Sequence, residues 1–426
     1  MANTASTSFE INRLFRRGFG ITLALDLVAR AVSAVTVVVL VRGLSTSAFA
    51  FVTLFLTLAQ LIGSAVTGGI RTWYMRVEAE SYSKDAGVEQ RSAFVQASKR
   101  GLVLIVLASL ASIPVAIALG FATLEDAPIL LLCVGLYAGG SSLIELAMTR
   151  YQARRGFTAA GILGLIRSLA LLLVAVVVTV TSSSDLAVSI WFGVTMAAAG
   201  CLALRVGVGA GGGAHGPTQR AHVGEELWLT LFYVAAAGFA YVDVLIAGAM
   251  LDDESVASLG AALRYLAILM GAMPALGAIL RVRAAQVDLI DSEEAQRRVL
   301  LAWMRRTSVP VVGFALAAIL LAPWVIPRID DGRYPDSVII LQIFVVTVVA
   351  AYLSAPATGL LIARRAYRPL ALIFIVGFLA NVVADVGVAP FYGVVGIAVV
   401  SSVIYVGIYA VVTVVTLRPT NTLADD

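Results

Sequence analysis

Apolar residues in this chain occur in long runs separated by short polar segments. Each run is about 20 residues, which is long enough for an α-helix to cross a hydrocarbon core of roughly 30 Å. The stretch 102–119 is apolar without the two-residue alternation that is typical of a lipid-facing β-barrel strand. The pattern therefore predicts a bundle of transmembrane α-helices.

The polar breaks predict about twelve such helices, so the fold class is an all-α polytopic membrane protein. Their predicted ranges are 20–41, 48–70, 101–121, 128–148, 157–180, 186–205, 227–250, 256–280, 308–327, 337–362, 369–389 and 393–416. Boundaries read from a pattern are the least certain part of such a prediction.

Basic residues predict the orientation of these helices. Most of the 30 Lys and Arg residues lie in the N-terminal tail, in every second loop after it and in the C-terminal tail, whereas the opposite side has only Arg42, Arg328 and Arg333. Short loops rich in Lys and Arg stay in the cytoplasm. We therefore expect a bacterial inner-membrane protein with both termini in the cytoplasm.

The chain divides into two predicted halves. A glycine-rich segment, 207–226, has the composition of a linker and separates an N-terminal six-helix bundle, 1–206, from a C-terminal one, 227–426. Ala-Arg-Arg recurs at matching places, 153–155 and 363–365. Two parallel repeats related by a pseudo-twofold axis explain this recurrence, and so does coincidence between short loops.

Composition argues against several classes of protein. The chain is 60% hydrophobic and 13% charged, and its net charge of only +4 does not indicate a nucleic-acid partner. Cys133 and Cys201 lie in apolar runs, and His215 and His222 have no companions at metal-ligand spacing, so we expect no metal site. No phosphate-binding loop or nucleophile motif is present, and we expect no enzyme activity.

Charged and polar residues within the first two helices are the first candidate site. Asp26 and Arg30 share a face of the first helix, and a polar stripe that contains Gln60 and ends near Arg71 follows the second. Charges in hydrocarbon are costly, so such faces indicate a hydrated cavity. The alternatives are an ion pair between Asp26 and Arg30 that only eases insertion, and hydrogen bonds between helices along the stripe.

Further intramembrane charges follow in later helices. Arg264 lies among small residues of the eighth helix and, with Arg30 and Arg71, forms a candidate head-group site for an anionic phosphate, or it pairs with Asp243. Glu145 and Arg167 are candidates for ion coupling or for pairing with each other. Asp26 and Asp243 are also candidates for ion coupling, or for pairing with Arg30 and Arg264 respectively. Asp385, near the end of the eleventh helix, is expected at the membrane interface.

The chain resembles the polysaccharide flippases of the O-antigen and teichuronic acid type. These belong to a superfamily that includes the multidrug-and-toxin extrusion transporters and the lipid II flippases. The likeness covers nearly the whole chain and lies in segments 41–45 (Val-Arg-Gly-Leu-Ser), 48–51, 241–248, 261–265 and 332–334 (Gly-Arg-Tyr). The family's usual glycine after the aromatic residue of the first hairpin is replaced by Ala50.

This resemblance implies an alternating-access carrier that moves a polyprenyl-pyrophosphate-linked oligosaccharide to the outer leaflet for cell-surface polysaccharide synthesis. It implies head-group contacts from Arg30, Arg264 and Arg71, no cofactor, and coupling to H⁺ or Na⁺. Expected partners are the lipid-linked glycan, membrane lipids and a glycan polymerase or other envelope proteins. Two alternatives stay open: a cation-coupled exporter of drugs or small metabolites with the same fold, and a non-catalytic membrane subunit of envelope assembly.

Overall fold

The computed structural model describes residues 24–83, 87–112, 117, 127–154, 156–181, 184–209, 223–270 and 293–418. In these ranges it contains eleven α-helices and no β-strand. The helices are α1 Ala24–Gly43, α2 Thr46–Ser83, α3 Gly87–Ala111, α4 Ala127–Ala153, α5 Phe157–Thr181, α6 Asp185–Gly209, α7 Val223–Met250, α8 Asp253–Leu269, α9 Glu293–Ile329, α10 Asp336–Ala363 and α11 Tyr367–Leu417. Ten of them are long and apolar enough to span a membrane. The all-α polytopic fold class is confirmed.

Helix α11 contains two membrane crossings. Its 51 residues would extend roughly 75 Å as a straight helix, more than twice a hydrocarbon core. The backbone breaks at Gly393, where φ is 55° and ψ is −151°, a conformation that glycine adopts without a side-chain clash. The break lies at the first residue of the predicted helix 393–416, next to the predicted gap 390–392.

Several helices are longer than the hydrophobic pattern predicts. Helix α2 continues to Ser83, α3 begins at Gly87 and α9 begins at Glu293. Each extension is rich in charged residues, so hydropathy does not detect it although the helix continues. The final part of the predicted helix 256–280 and most of the linker 207–226 lie outside the described residues.

One compact unit, which we call unit 1, is formed by Met1–Val39, Ile70–Leu110 and Ile129–Arg220. Within it α4 packs closely on α6, because Gly140 and Gly200 face each other. A Cβ atom added to Gly200 would lie 2.5 Å from the Cα atom of Gly140. Small residues at such contacts let helix backbones approach closely in a membrane.

The other compact unit, unit 2, is formed by Leu40–Gly69, Ala111–Pro128 and Ala221–Asp426. Helix α11 packs against α7 and α10 in its core. Phe232 and Phe374 meet edge to face there, with ring centroids 4.9 Å apart. The predicted domain boundary at 207–226 stays a prediction.

Two arginines connect helix ends within unit 2 through hydrogen bonds and an ion pair. Arg333 donates hydrogen bonds to the main-chain carbonyls of Val41 and Leu44 at 3.2 and 3.0 Å. Arg42 donates to the carbonyl of Ile329 at 2.7 Å and forms an ion pair with Asp331 at 3.0 Å. Val41 lies in the last turn of α1 and Ile329 is the last residue of α9, where main-chain carbonyls lack the usual N–H partner of a continuing helix. Arg333 therefore caps the end of α1, and Arg42 caps the end of α9.

Candidate functional site

Asp26 and Arg30 form an ion pair on α1 in unit 1. The Nε and Nη2 atoms of Arg30 donate to the two carboxylate oxygens of Asp26 at 2.9 and 3.3 Å. The pair spans one helical turn, and its side chains are 25% and 31% exposed. Near it, Ser33 donates to Ser168 of α5 at 3.2 Å, which joins the two helices. The pair is neutral overall and partly exposed.

Glu145 lies between two arginines of unit 1, and we call these three residues the arginine triad. Arg71 of α2 donates to Oε2 of Glu145 at 2.8 Å, and Arg167 of α5 donates to Oε1 at 3.2 Å. Helix α4 supplies Glu145, so three helices meet at one carboxylate. All three residues are candidates in the sequence, but their spacing does not predict that one carboxylate bridges both arginines.

The arginine triad has a net charge of +1 and is accessible. Its side chains are between 26% and 33% exposed. Arginine has five N–H donors in a planar fork and keeps its charge, and each guanidinium here gives one terminal nitrogen to Glu145. Donors and charge of this kind suit a phosphate group.

A second ionic cluster in unit 1 is dry. Glu78 is completely buried and accepts hydrogen bonds from Arg154 at 2.5 Å and from Tyr74 at 2.8 Å. Arg150, also completely buried, lies 3.6 Å from Glu78 and stacks 5.0 Å from the ring centroid of Phe94. A buried network of this kind fixes a packing arrangement and is not open to a ligand. The Nε and Nη2 atoms of Arg150 have no hydrogen-bond partner within the described residues, so Glu78 compensates the charge of Arg150 without a hydrogen bond to it.

Four oxygen-bearing side chains in unit 2 form what we call the acidic cluster. The amide nitrogen of Asn381 donates to Asp243 at 2.7 Å and to Asp385 at 2.9 Å. Ser401 donates to the other oxygen of Asp385 at 3.3 Å. All four side chains are buried, with exposed fractions of 6% or less. Helix α7 contributes Asp243, and the two arms of α11 contribute the other residues.

The acidic cluster has the donor set of a hard cation site. Two carboxylates that share a buried site are strongly disfavoured when both are ionised, unless a proton or a cation neutralises them. Asn381 Oδ1 is buried and has no hydrogen-bond partner within the described ranges. Carboxylate, amide and hydroxyl oxygens favour hard cations over soft transition metals. In the described part of the chain, no group of three or more His, Cys, Asp or Glu could hold a metal ion.

Three members of the acidic cluster were absent from the predicted site. Asp385, which the sequence indicates as an interfacial residue, is instead fully buried. Asn381 and Asp385 are four residues apart and Ser401 lies across the Gly393 break. The spacing of Asn381 and Asp385 on one helical face was the available signal, but the sequence does not show that the two arms of α11 fold back on each other beside Asp243.

The other two residues of the predicted head-group site, Arg264 and Gln60, lie in unit 2. The guanidinium of Arg264 stacks 5.5 Å from the ring centroid of Phe49, and Gln60 is half-buried on α2. Phe49 in turn packs on Tyr334, with ring centroids 5.4 Å apart. The head-group roles of Arg30, Arg71, Arg264 and Gln60 stay predictions, as do the coupling roles of Asp26, Glu145, Asp243 and Arg167.

Solved structures of several transporters are similar to this chain. The lipid II flippase MurJ in an inward closed conformation matches with a TM-score of 0.68 and 13% identity, over 94% of this chain and 88% of that one. A mutant of the Vibrio cholerae MATE transporter VcmN matches with a TM-score of 0.68 and 12% identity, over 96% and 98% of the two chains. The MATE multidrug transporter DinF-BH matches with a TM-score of 0.67 and 15% identity, over 96% of each chain.

Sequence comparisons add no closer relative. No protein-family model matches the chain, and the search of curated proteins finds no match. At identities of 12% to 15%, the likeness to solved structures shows the fold alone. The chain is therefore a multi-pass membrane protein with the fold shared by MurJ and the MATE transporters.

Proposed function

We propose that this protein is a cation-coupled, alternating-access flippase for a lipid-linked oligosaccharide with a pyrophosphate head group. The single observation that carries the choice of cargo is the arginine triad, a net positive and partly exposed group inside membrane-spanning helices. Cationic drugs would be repelled by such a group, whereas phosphate oxygens would bind both guanidiniums. The shared fold supports a transporter of this general kind.

The acidic cluster supplies the coupling site in this proposal. It holds two carboxylates away from water, where a cation gains a large electrostatic stabilisation and leaves when the site opens. Its side chains are too buried to contact a bulky cargo. We therefore assign cargo to the arginine triad, with Arg30, Arg264 and Gln60 as further head-group contacts, and assign the driving cation to Asp243, Asn381, Asp385 and Ser401.

A flipping assay in proteoliposomes tests the cargo. The purified chain is reconstituted with a fluorescent polyprenyl-pyrophosphate-linked oligosaccharide, and a membrane-impermeant quencher reports the fraction exposed on each leaflet. We expect flipping that accelerates under a Na⁺ or H⁺ gradient, with no flipping in protein-free vesicles. Gradient-driven transport of a cationic dye such as ethidium, with no movement of the glycolipid, would instead establish a drug exporter.

A thermal-stability titration tests the coupling site. A bound ion stabilises the folded state by mass action, so we expect the unfolding temperature to rise with NaCl relative to choline chloride. Asp385→Asn should abolish the rise. Asp336→Asn makes the same charge change at an exposed first-turn position of α10 and should preserve it. A dependence on pH with no dependence on Na⁺ would identify the coupling ion as a proton.

A further inference from the structure

Glu145 is the one member of the arginine triad that an anionic cargo does not need. Its carboxylate repels phosphate, yet it lies within hydrogen-bond distance of both arginines. A carboxylate that only neutralised one arginine would not need to contact the other. Here each of its two oxygens is bonded to a different arginine, so the carboxylate lies between them.

The position of this carboxylate is the position that a phosphate would take. Carboxylate and phosphate both present oxygens that accept N–H bonds from guanidinium groups. Arg71 and Arg167 come from different helices, α2 and α5, and both contact the single carboxylate. A phosphate bridging the same two nitrogens would replace both contacts and add further acceptor oxygens and charge.

The partial exposure of the triad side chains would allow a phosphate to replace the Glu145 carboxylate. The triad side chains are about one-quarter to one-third exposed, whereas Glu78 and Arg150 in the dry cluster are completely buried. Breaking a partly exposed ion pair costs less than breaking a completely buried one. Glu145 can therefore leave its arginines at lower cost than Glu78 can leave Arg150 and Arg154 in the dry cluster.

We infer that Glu145 is a built-in competitor, which occupies the phosphate site of Arg71 and Arg167 when cargo is absent and is displaced when a phosphate or pyrophosphate group binds. It keeps two like charges together in the empty carrier and makes cargo binding an exchange of one anion for another. The exchange limits cargo affinity, which favours release after translocation. The identity of the cargo rests on the proposed function, but the anion site itself does not.

Calorimetric titration of inorganic pyrophosphate into the full chain in nanodiscs tests this inference. Glu145→Gln should tighten pyrophosphate binding about tenfold or more, since it removes the carboxylate that competes with pyrophosphate for the two arginines. Adding Arg71→Gln or Arg167→Gln to that variant should reverse the gain. Asp336→Asn, which also removes one negative charge, should bind like the wild type. Equal or weaker binding by Glu145→Gln would overturn the inference and make Glu145 a positioning residue for the arginines.

Infrared difference spectroscopy gives a second test, and its main measurement uses the wild-type chain and so does not depend on the folding of a variant. Addition of pyrophosphate should shift a carboxylate stretching band as Glu145 loses its arginine partners, and Glu145→Gln should lack this band. A wild-type spectrum without a carboxylate change, recorded at a pyrophosphate concentration that calorimetry shows to be saturating, would overturn the inference. Tighter pyrophosphate binding without glycolipid flipping would reject the proposed cargo alone, whereas flipping without tighter binding would reject the competitor alone.

Discussion

The arginine triad of unit 1 and the acidic cluster of unit 2 differ in both the sign of their charge and their exposure. The triad is net positive and its side chains are 26% to 33% exposed. The acidic cluster contains two carboxylates, and its side chains are almost completely buried. A partly exposed positive group is suited to exchanging anions, whereas a buried negative group is suited to a small cation that has lost its water. Exposure therefore distinguishes the proposed cargo site from the proposed coupling site more clearly than charge alone.

Neutralising the arginine triad should have the largest effect on transport. The triple variant Arg71→Gln, Glu145→Gln and Arg167→Gln removes every charge together, so it leaves no unpaired ion in the membrane. We expect glycolipid flipping to fall to the protein-free rate while the Na⁺-dependent rise in unfolding temperature is retained. Flipping at the wild-type rate would contradict the cargo assignment.

Breaking the dry cluster of unit 1 should have the largest effect on stability. Glu78→Gln leaves Arg150 buried without a carboxylate, and loss of one partner of a buried pair costs about 3–5 kcal/mol. The matched change Glu145→Gln removes a partly exposed carboxylate and should cost less than Glu78→Gln. Thermal unfolding in the same detergent compares them, and equal losses would mean that exposure does not separate the two clusters.

Weakening one ligand of the acidic cluster should produce a graded effect. Ser401→Ala removes a hydroxyl that bonds to Asp385 but keeps both carboxylates. We expect the affinity for Na⁺ to fall about tenfold, which lowers the stabilisation by bound Na⁺ by roughly 1.4 kcal/mol. Asp385→Asn should instead lose Na⁺ stabilisation completely. Ser402→Ala changes the neighbouring buried serine of the same helix and serves as the control. An unchanged Na⁺ titration for Ser401→Ala would remove this serine from the site.

A helix cap outside the clusters should have the smallest effect. Asp252 accepts a hydrogen bond from the Ser255 N–H at 2.9 Å and caps α8, and this hydrogen bond lowers the pKa of its carboxyl. A lowered folded-state pKa stabilises the fold above the unfolded pKa of about 3.9, and the contribution is lost as pH falls through the folded value. Asp252→Ala should therefore cost about 1 kcal/mol near neutral pH and less in acid. A loss of the same size at every pH would exclude the ionised cap.

The hydrophobic pattern predicts most of the fold because lipid imposes a length and a polarity on each helix. Even the break at Gly393 is adjacent to a predicted gap, since a run of 51 residues is too long for one crossing. The pattern fails at charged helix extensions such as 71–83 of α2, where the helix continues through charged residues. Those extensions contain Glu78, so the dry cluster was not predicted.

Charges that lie on one helix were easier to predict than charges gathered from several. The Asp26–Arg30 pair follows from four-residue spacing along α1. The meeting of Arg71, Glu145 and Arg167 depends on how α2, α4 and α5 pack, which no local spacing contains. The acidic cluster depends on the return of α11 past Asp243. The spacing of Asn381 and Asp385 was a local signal, but nothing in the sequence connected Ser401 or Asp243 to that pair.

A crossed binding measurement tests the central claim, that the two clusters bind ions of opposite charge. Pyrophosphate and Na⁺ are titrated separately into the wild-type chain, into the neutralised triad variant and into Asp385→Asn. We expect the triad variant to lose pyrophosphate binding and keep Na⁺ binding, and Asp385→Asn to keep pyrophosphate binding and lose Na⁺ binding. Loss of both ligands in one variant that still unfolds cooperatively, or retention of both in either variant, would contradict it.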